Sequence, residues 1–291
     1  MHNRSNESFY YYLFLLPCVI YIFVWRIFPV FYTLTLSFLK FNLLEGGGGF
    51  VGLKNYLNVL ESPQFHNSFR ITLLFTLSAI IIQIILGILL ALLIENVRQG
   101  RHILRSVLLI PLFLPPVAVG TIWLIMFNDI VGPINYFLKS INLTAPSWLE
   151  SPFYAFLAIL IADTWQWTPF TFILIFASLL NVNQELYEAA RVDGASKIKI
   201  IQHITLPLIR STIFTTAILR SMDAFRIFDK VYLMTAGGPG RKTEVLSMLV
   251  AKSAFEWFEI DYAAALVFLL LIFLGIVYFF LIKYLLKTRS R

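Results

Sequence analysis

Two short runs of polar side chains interrupt otherwise apolar segments, and they hold the residues best able to do chemistry. Asp163, Trp165, Gln166 and Trp167 form the first, and Arg220, Asp223, Arg226 and Asp229, at steps of three, form the second. Carboxylates, amides and guanidinium groups hydrogen-bond hydroxyls, and an indole face covers an apolar ring. Together the runs have the makings of a site for a polyhydroxylated ligand such as a sugar. Steps of three also bring successive members of the second run together as i,i+3 pairs, so mutual neutralisation competes with ligand contact as their role. Trp165 and Trp167 point about 200° apart on a helix, so at most one is expected to line a cavity; an interfacial anchor is the other use of such a tryptophan.

Enzymatic chemistry finds little support. The four histidines, His2, His66, His102 and His203, form no His-Glu-x-x-His pattern, and no paired catalytic carboxylates accompany them. Cys18 is the only cysteine and lies in an apolar run, which argues for packing and against disulfides or a metal site. A phosphate-binding loop needs G-x-x-x-x-G-K-[ST] between a strand and a helix. The stretch from Gly237 to Thr243 is a near miss, with Arg241 where the last glycine should precede Lys242.

The elements that must position these residues follow from composition. The 291 residues are 59% hydrophobic and 13% charged, whereas a soluble domain has about 25% charged positions. Apolar runs long enough for a hydrocarbon core about 30 Å thick recur along the chain. They lie near residues 10–38, 69–94, 106–127, 153–180, 211–234 and 263–286. The expected fold is therefore all-α, a polytopic membrane protein with about six transmembrane helices in a lipid bilayer. Pro111, Pro115 and Pro116 interrupt the third run. The net charge of +7 is spread over short connecting segments and forms no basic domain, which excludes nucleic acid as a partner. Lys and Arg cluster at Arg98, Arg101 and Arg105 and in the tail from Lys283 to Arg291, so both termini are expected on the cytoplasmic side. Counting about 1.5 Å per residue from Arg210 puts Arg220 about 15 Å deep. A charge there costs at least about 2.5 kcal/mol and needs a partner or a watery cavity. Arg26, in the first run, has no partner apparent in the sequence.

Residues 181–210 form one long amphipathic connector. Asn183 suits an N-cap, Glu185 and Glu188 suit the first turns of the helix it starts, and Gly194 suits a left-handed C-terminal cap. Ser196 then caps a second short helix anchored by Ile198, Ile201 and Ile204 and stopped by Pro207. Ala189 and Ala190 keep one face small enough for another protein's groove.

At these residues the sequence resembles a known family. Glu188-Ala189-Ala190, then Gly194-Ala195, then Ile204-Thr205-Leu206-Pro207-Leu208 is similar to the EAA loop of ABC importer permeases. The resemblance is closest to the maltose and glycerol-phosphate permease branch. Phe50 to Tyr56 resembles that branch's first outer loop, Trp165 to Phe170 its fourth span, and Thr235 to Pro239 its third outer loop. The resemblance implies one permease subunit of an importer for a sugar or related polyol, multi-pass in the cytoplasmic membrane. It implies that Glu188, Ala189, Ala190, Asp193, Gly194 and Ala195 couple to an ABC ATPase dimer that holds ATP and Mg, with no cofactor or metal in this chain. It further implies a second homologous permease subunit and an extracytoplasmic solute-binding protein. Gly237, Gly238 and Pro239 read either as a flexible turn or as a loop facing that binding protein. Asp163, Trp165, Gln166, Arg220, Asp223 and Arg226 are the candidate substrate path. The expected layout is a first helix and outer loop over 1–67, a transmembrane core over 68–286 that includes the connector, and a cytoplasmic tail over 287–291. The alternative is an ion-coupled secondary transporter, which would leave the connector unexplained.

Overall fold

The structure is a computed structural model and describes residues 4–42, 46–95, 97 and 99–289. Arg98 and Arg291, which contribute to the charge-based orientation, lie outside the described residues, as do the side chains of Arg4, Lys287 and Arg289. The chain forms two compact units, one of residues 1–62 and 250–274 and one of residues 63–249 and 275–291.

In the first unit α1 (Arg4–Ile22) passes through a wide π turn at Phe23–Ile27 into α2 (Phe28–Ser37). Arg26 lies in that turn, exposed, and no ion pair involves it among the described residues. A hairpin absent from the sequence reading follows, with β1 (Leu39–Asn42) antiparallel to β2 (Gly46–Phe50), and then α3 (Lys54–Glu61). The Phe50 to Tyr56 stretch has a structural role here. Asn55, buried, donates to the carbonyls of Ser37 and Leu39 at 3.0 and 2.8 Å, and the Tyr56 hydroxyl meets Ser37 Oγ at 2.6 Å. These bonds close the end of α2, whose last carbonyls have no intrahelical partner.

The second unit holds α4 (Pro63–Glu95), α5 (Arg101–Leu109), α6 (Pro116–Met126), α7 (Pro133–Ser140) and α8 (Pro152–Leu179). After them come α9 (Gln184–Val192), α10 (Lys197–Ile200), α11 (Leu206–Ala224) and α12 (Asp229–Thr235). The last two helices, α13 (Leu246–Phe255) and α14 (Ile260–Arg289), contribute residues to both units.

Four helices among the described residues are long and apolar enough to span a membrane: Tyr12–Ser37, Pro63–Glu95, Pro152–Leu179 and Ile260–Leu285. The expected third span is instead a broken pair, Arg101–Phe113 and Pro116–Met126, bent by 96°. Pro115 is extended (ψ 139°) because a following proline disfavours the helical region, and two prolines in a row remove two donors. The expected fifth span also divides. The 19-residue α11 carries Arg210, Arg220 and Asp223, and helix is lost from Phe225 to Phe228 before α12 begins. The steps-of-three pattern therefore does not lie on one helix. Pro207 does not stop the second connector helix either. It lies inside a helix that continues through a wide π turn at Ile201–Thr205 into α11, and that turn accommodates the ladder donor the proline lacks.

Helices α4 and α8 pack along stripes of small residues, the usual basis of close approach between membrane helices. Every fourth residue of α4 from Ala79 through Gln83 and Gly87 to Ala91 is buried, as are Ala155, Ala158 and Ala162 of α8. A Cβ at Gly87 would sit 2.5 Å from Thr171 Oγ1 and 3.1 Å from the Phe172 nitrogen. Thr171 Oγ1 donates to the Gln83 carbonyl at 2.8 Å, so it cannot yield without losing that bond. Gly87→Ala should destabilise the protein by about 1–3 kcal/mol, the usual range for overpacking. The check is the melting midpoint of detergent-solubilised protein, with Gly275→Ala, which meets nothing within 4 Å, as a control that leaves the midpoint in place. Equal midpoints for both variants would show that the α4–α8 contact yields freely.

Candidate functional site

The polar residues of α4, α8, α11 and α12 converge. Asp163 is 2% exposed and Arg220 1%. Lys230 Nζ lies 2.7 Å from Asp163 Oδ1. Arg220 donates through Nη2 to Asp163 Oδ2, which also accepts from Gln83 Nε2 at 2.9 Å. Arg220 Nε donates to Gln83 Oε1 at 2.6 Å, and Lys230 Nζ donates to Gln166 Oε1 at 2.6 Å. Gln166 Nε2 donates in turn to the Leu114 carbonyl at 2.9 Å, and the guanidinium carbon of Arg220 lies 4.7 Å above the Trp167 ring. That carbonyl is available because the Pro115–Pro116 break leaves it outside a helical ladder. Arg220 thus pairs with Asp163 on another helix and not with Asp223. Gln83 and Lys230 are members that sequence reasoning missed. Gln83 had a signal, an amide alone among Ile and Leu, whereas Lys230 reads as an outer-loop lysine and is in fact buried.

Beside this network lies a cavity of about 270 Å³ walled by Asp163, Trp167, Asp223, Arg226, Asp229 and Lys230. Asp223 and Arg226 pair at 3.1 Å and are 39% and 71% exposed, so their hydrogen-bonding groups are open to a solute. Donors and acceptors here share the cavity wall with the Trp167 indole. Trp165 instead lines a separate apolar cavity of about 560 Å³ with Pro111, Trp123 and Pro169. Both tryptophans therefore line cavities, contrary to the expectation from helical spacing. The reason is that α8 has open space on two opposite sides. Of the candidate path residues, Asp163, Gln166 and Arg220 lie in the buried network, Asp223 and Arg226 at the polar cavity, and Trp165 apart from both.

The connector is built as its caps predict. Asn183 Oδ1 accepts from Glu185 N at 3.1 Å, and Ser196 Oγ accepts from Lys199 N at 3.4 Å. Ala195 N donates to the Ala190 carbonyl at 2.9 Å and Gly194 N to the Arg191 carbonyl at 3.1 Å, with Gly194 at φ +74°. This is a Schellman turn closing α9. Tyr187 faces inward and is buried, while Leu186, Glu188, Ala189 and Val192 are exposed and Ala190 is half-buried. One short helix thus offers a surface with small and apolar members, held by a firm turn.

The Gly237 to Pro239 stretch is pinned rather than loose. Thr243 Oγ1 donates to the Gly238 carbonyl at 2.7 Å and lies 2.8 Å from Thr235 Oγ1. Arg241 Nη2 pairs with the buried Glu244 at 2.7 Å, and Asn67 of α4 donates to the Arg241 carbonyl at 2.8 Å. The stretch joins two helices, α12 and α13, where a phosphate-binding loop would follow a strand.

Residues 83–291 match the family described as binding-protein-dependent transport system inner membrane component. The chain is 37% identical over 281 residues to the trehalose/maltose transport system permease protein MalF of Thermococcus litoralis, covering 94% of each chain. It is 33% identical over 255 residues to the sulfoquinovosyl glycerol transport system permease protein SmoG of Agrobacterium fabrum, covering 87% of this chain and 83% of that one. The fold matches a bacterial ABC transporter involved in the import of the acidic polysaccharide alginate, with a TM-score of 0.84 at 22% identity, over 97% of this chain and 96% of the other.

Removing members of the buried network should not be equivalent. Asp163→Asn leaves two buried cations without a counter-charge, a loss of about 3–5 kcal/mol for a broken buried pair. Lys230→Met keeps the Asp163–Arg220 pair and should cost distinctly less. Size-exclusion recovery of detergent-solubilised protein after graded heating measures the order, and equal recovery of the two variants would show that the carboxylate is not the centre of the network.

Proposed function

We propose, from the premise that the chain belongs to the family of binding-protein-dependent transport system inner membrane components, that it is one membrane subunit of an ATP-driven importer for a sugar or related polyol. The observation that carries this reading is the short surface helix α9 with its Schellman turn, a rigid, small-faced projection on a chain with four long apolar helices among the described residues. Its seat would be a cleft on a separate ATPase dimer, which would hold ATP and Mg. This chain then hydrolyses nothing itself. A second permease subunit and a solute-binding protein complete the assembly, and α9 and both termini lie on the cytoplasmic side. The sugar reading is supported by the named substrates of the relatives and by a cavity that sets carboxylates and cations beside the Trp167 ring. No observation favours the ion-coupled alternative.

Two predictions follow from α9 and the cavity. Gly194→Val forces a β-branched side chain into left-handed backbone, and Ala189→Trp adds bulk to an exposed face. Both should leave the protein in the membrane yet lower recovery of the ATPase on pull-down or uncouple hydrolysis from uptake. Retained ATPase with full sugar-stimulated uptake would defeat the docking role. Asp223→Ala should cut uptake by about tenfold, the loss of one charge-assisted hydrogen bond, while assembly stays normal. Assembled Asp223→Ala complexes that transport at the wild-type rate would remove the cavity from the substrate path.

A further inference from the structure

A second polar cavity, of about 350 Å³, lies on the inward side of α9, away from its exposed docking face. Its wall carries three cations, Arg101, Arg191 and Lys197, against one carboxylate, Glu95, with Gln184 and Tyr187 beside them. The cations come from two separate parts of the chain. Arg101 opens α5, and Arg191 and Lys197 flank the Schellman turn. Arg101 and Arg105 both hold their guanidinium carbons over the Phe176 ring, at 4.8 and 4.2 Å. That stacking fixes the two side chains without using their N–H groups. Arg101 Nε and Nη2, on the cavity wall, and Nε of Arg105, behind it, are buried and make no hydrogen bond among the described residues. Buried donors of this kind carry a desolvation cost that a bound acceptor would relieve. An excess of two positive charges, planar guanidinium donors and a tyrosine hydroxyl fit one chemical class, an oxyanion with several acceptor oxygens.

We propose that this cavity binds a phosphate-bearing anion, either the headgroup of an acidic phospholipid or free phosphate. The site stands on its own residues and does not depend on the function proposed above. An occupant would bridge the start of α5 to both sides of the α9 turn and hold that helix in place. The test uses the full chain in a zwitterionic detergent. Native mass spectrometry reads retention of added phosphatidylglycerol against phosphatidylcholine, and thermal unfolding reads stabilisation by inorganic phosphate against chloride at equal ionic strength. The expected result is selective retention of phosphatidylglycerol or stabilisation by phosphate, the first identifying a lipid headgroup and the second a soluble anion. Either effect should fall about tenfold or more in Arg101→Gln, as expected for loss of a charge-assisted contact. Lys197→Gln, at an exposed position, serves if the first variant fails to fold. Lys139→Gln, on α7 outside the site, should change nothing. No preference for either probe, or equal effects of Arg101→Gln, Lys197→Gln and Lys139→Gln, would overturn the proposal.

Discussion

One carboxylate in a low-dielectric interior, Asp163, is the constraint around which the larger unit is arranged. A charge buried at this depth persists only with partners on its lone pairs, and Asp163 has them from Lys230, Arg220 and Gln83. Each partner comes from a different helix, so satisfying one group fixes the mutual register of α4, α8, α11 and α12. The count of charges is uneven, two cations to one anion. The glutamines offset part of that excess by giving each cation a second acceptor, Gln83 Oε1 for Arg220 and Gln166 Oε1 for Lys230.

The apolar interior is arranged around this polar layer. Ala79, Ala158, Ala162 and Ala224 belong to one buried cluster and Ala91, Phe172, Phe176 and Ile209 to another. Along α4, α8 and α11 alike, the network residues fall between the two. The buried network and the exposed pair meet at the polar cavity, where Asp163 and Lys230 form one part of the wall and Asp223 and Arg226 another. Asp163, Gln166 and Arg220 spend their hydrogen bonds inside the bundle, on one another or on Gln83, Lys230 and the Leu114 carbonyl, whereas Asp223 and Arg226, three and six residues beyond Arg220 by sequence, face open space. The break after Ala224 makes this division possible, because it returns Lys230 to Asp163 while Arg226 stays outside.

The spans at residues 63–95 and 152–179 and the capped connector were legible because their signals are local, a long apolar run or a cap at a fixed offset. Asn183, Gly194 and Ser196 behave as their residue types require. The broken elements were less legible. Pro111, Pro115 and Pro116 announce an interruption, but its 96° angle depends on what packs around it. Pairing was hardest to read. Arg220 and Asp223 at i,i+3 are sequence neighbours on a helix, and the partner actually used, Asp163, is 57 residues away. Nothing in a one-dimensional pattern distinguishes a cation that reaches across a bundle from one that pairs along its own helix. The apolar setting of Gln83 hinted at a buried contact without saying to what.

The connector and the ion network are mechanically joined. From Lys197 the chain stays helical through the wide turn at Ile201–Thr205 and along α11 to Ala224. At about 1.5 Å per residue this path puts Arg220 about 35 Å from the α9 turn. Thr205 Oγ1 meets the Tyr187 hydroxyl of α9 at 3.4 Å, and Thr212 donates to Ser178 of α8 at 2.9 Å. The path is continuous helix, with the wide turn at Ile201–Thr205 as its departure from α geometry, so a shift of α11 along its axis would carry Arg220 with it. The guanidinium cannot follow without giving up its bonds to Gln83 and Asp163. Loss of those bonds inside the membrane is costly, so small strains are resisted and a larger one must exchange the whole set for another. Bistable packing of this sort turns a local push into a discrete change of the bundle. The one buried carboxylate that sets the register of the helices therefore also opposes any shift of α11 against α4 and α8, because Arg220 and Gln83 bond to it from α11 and α4.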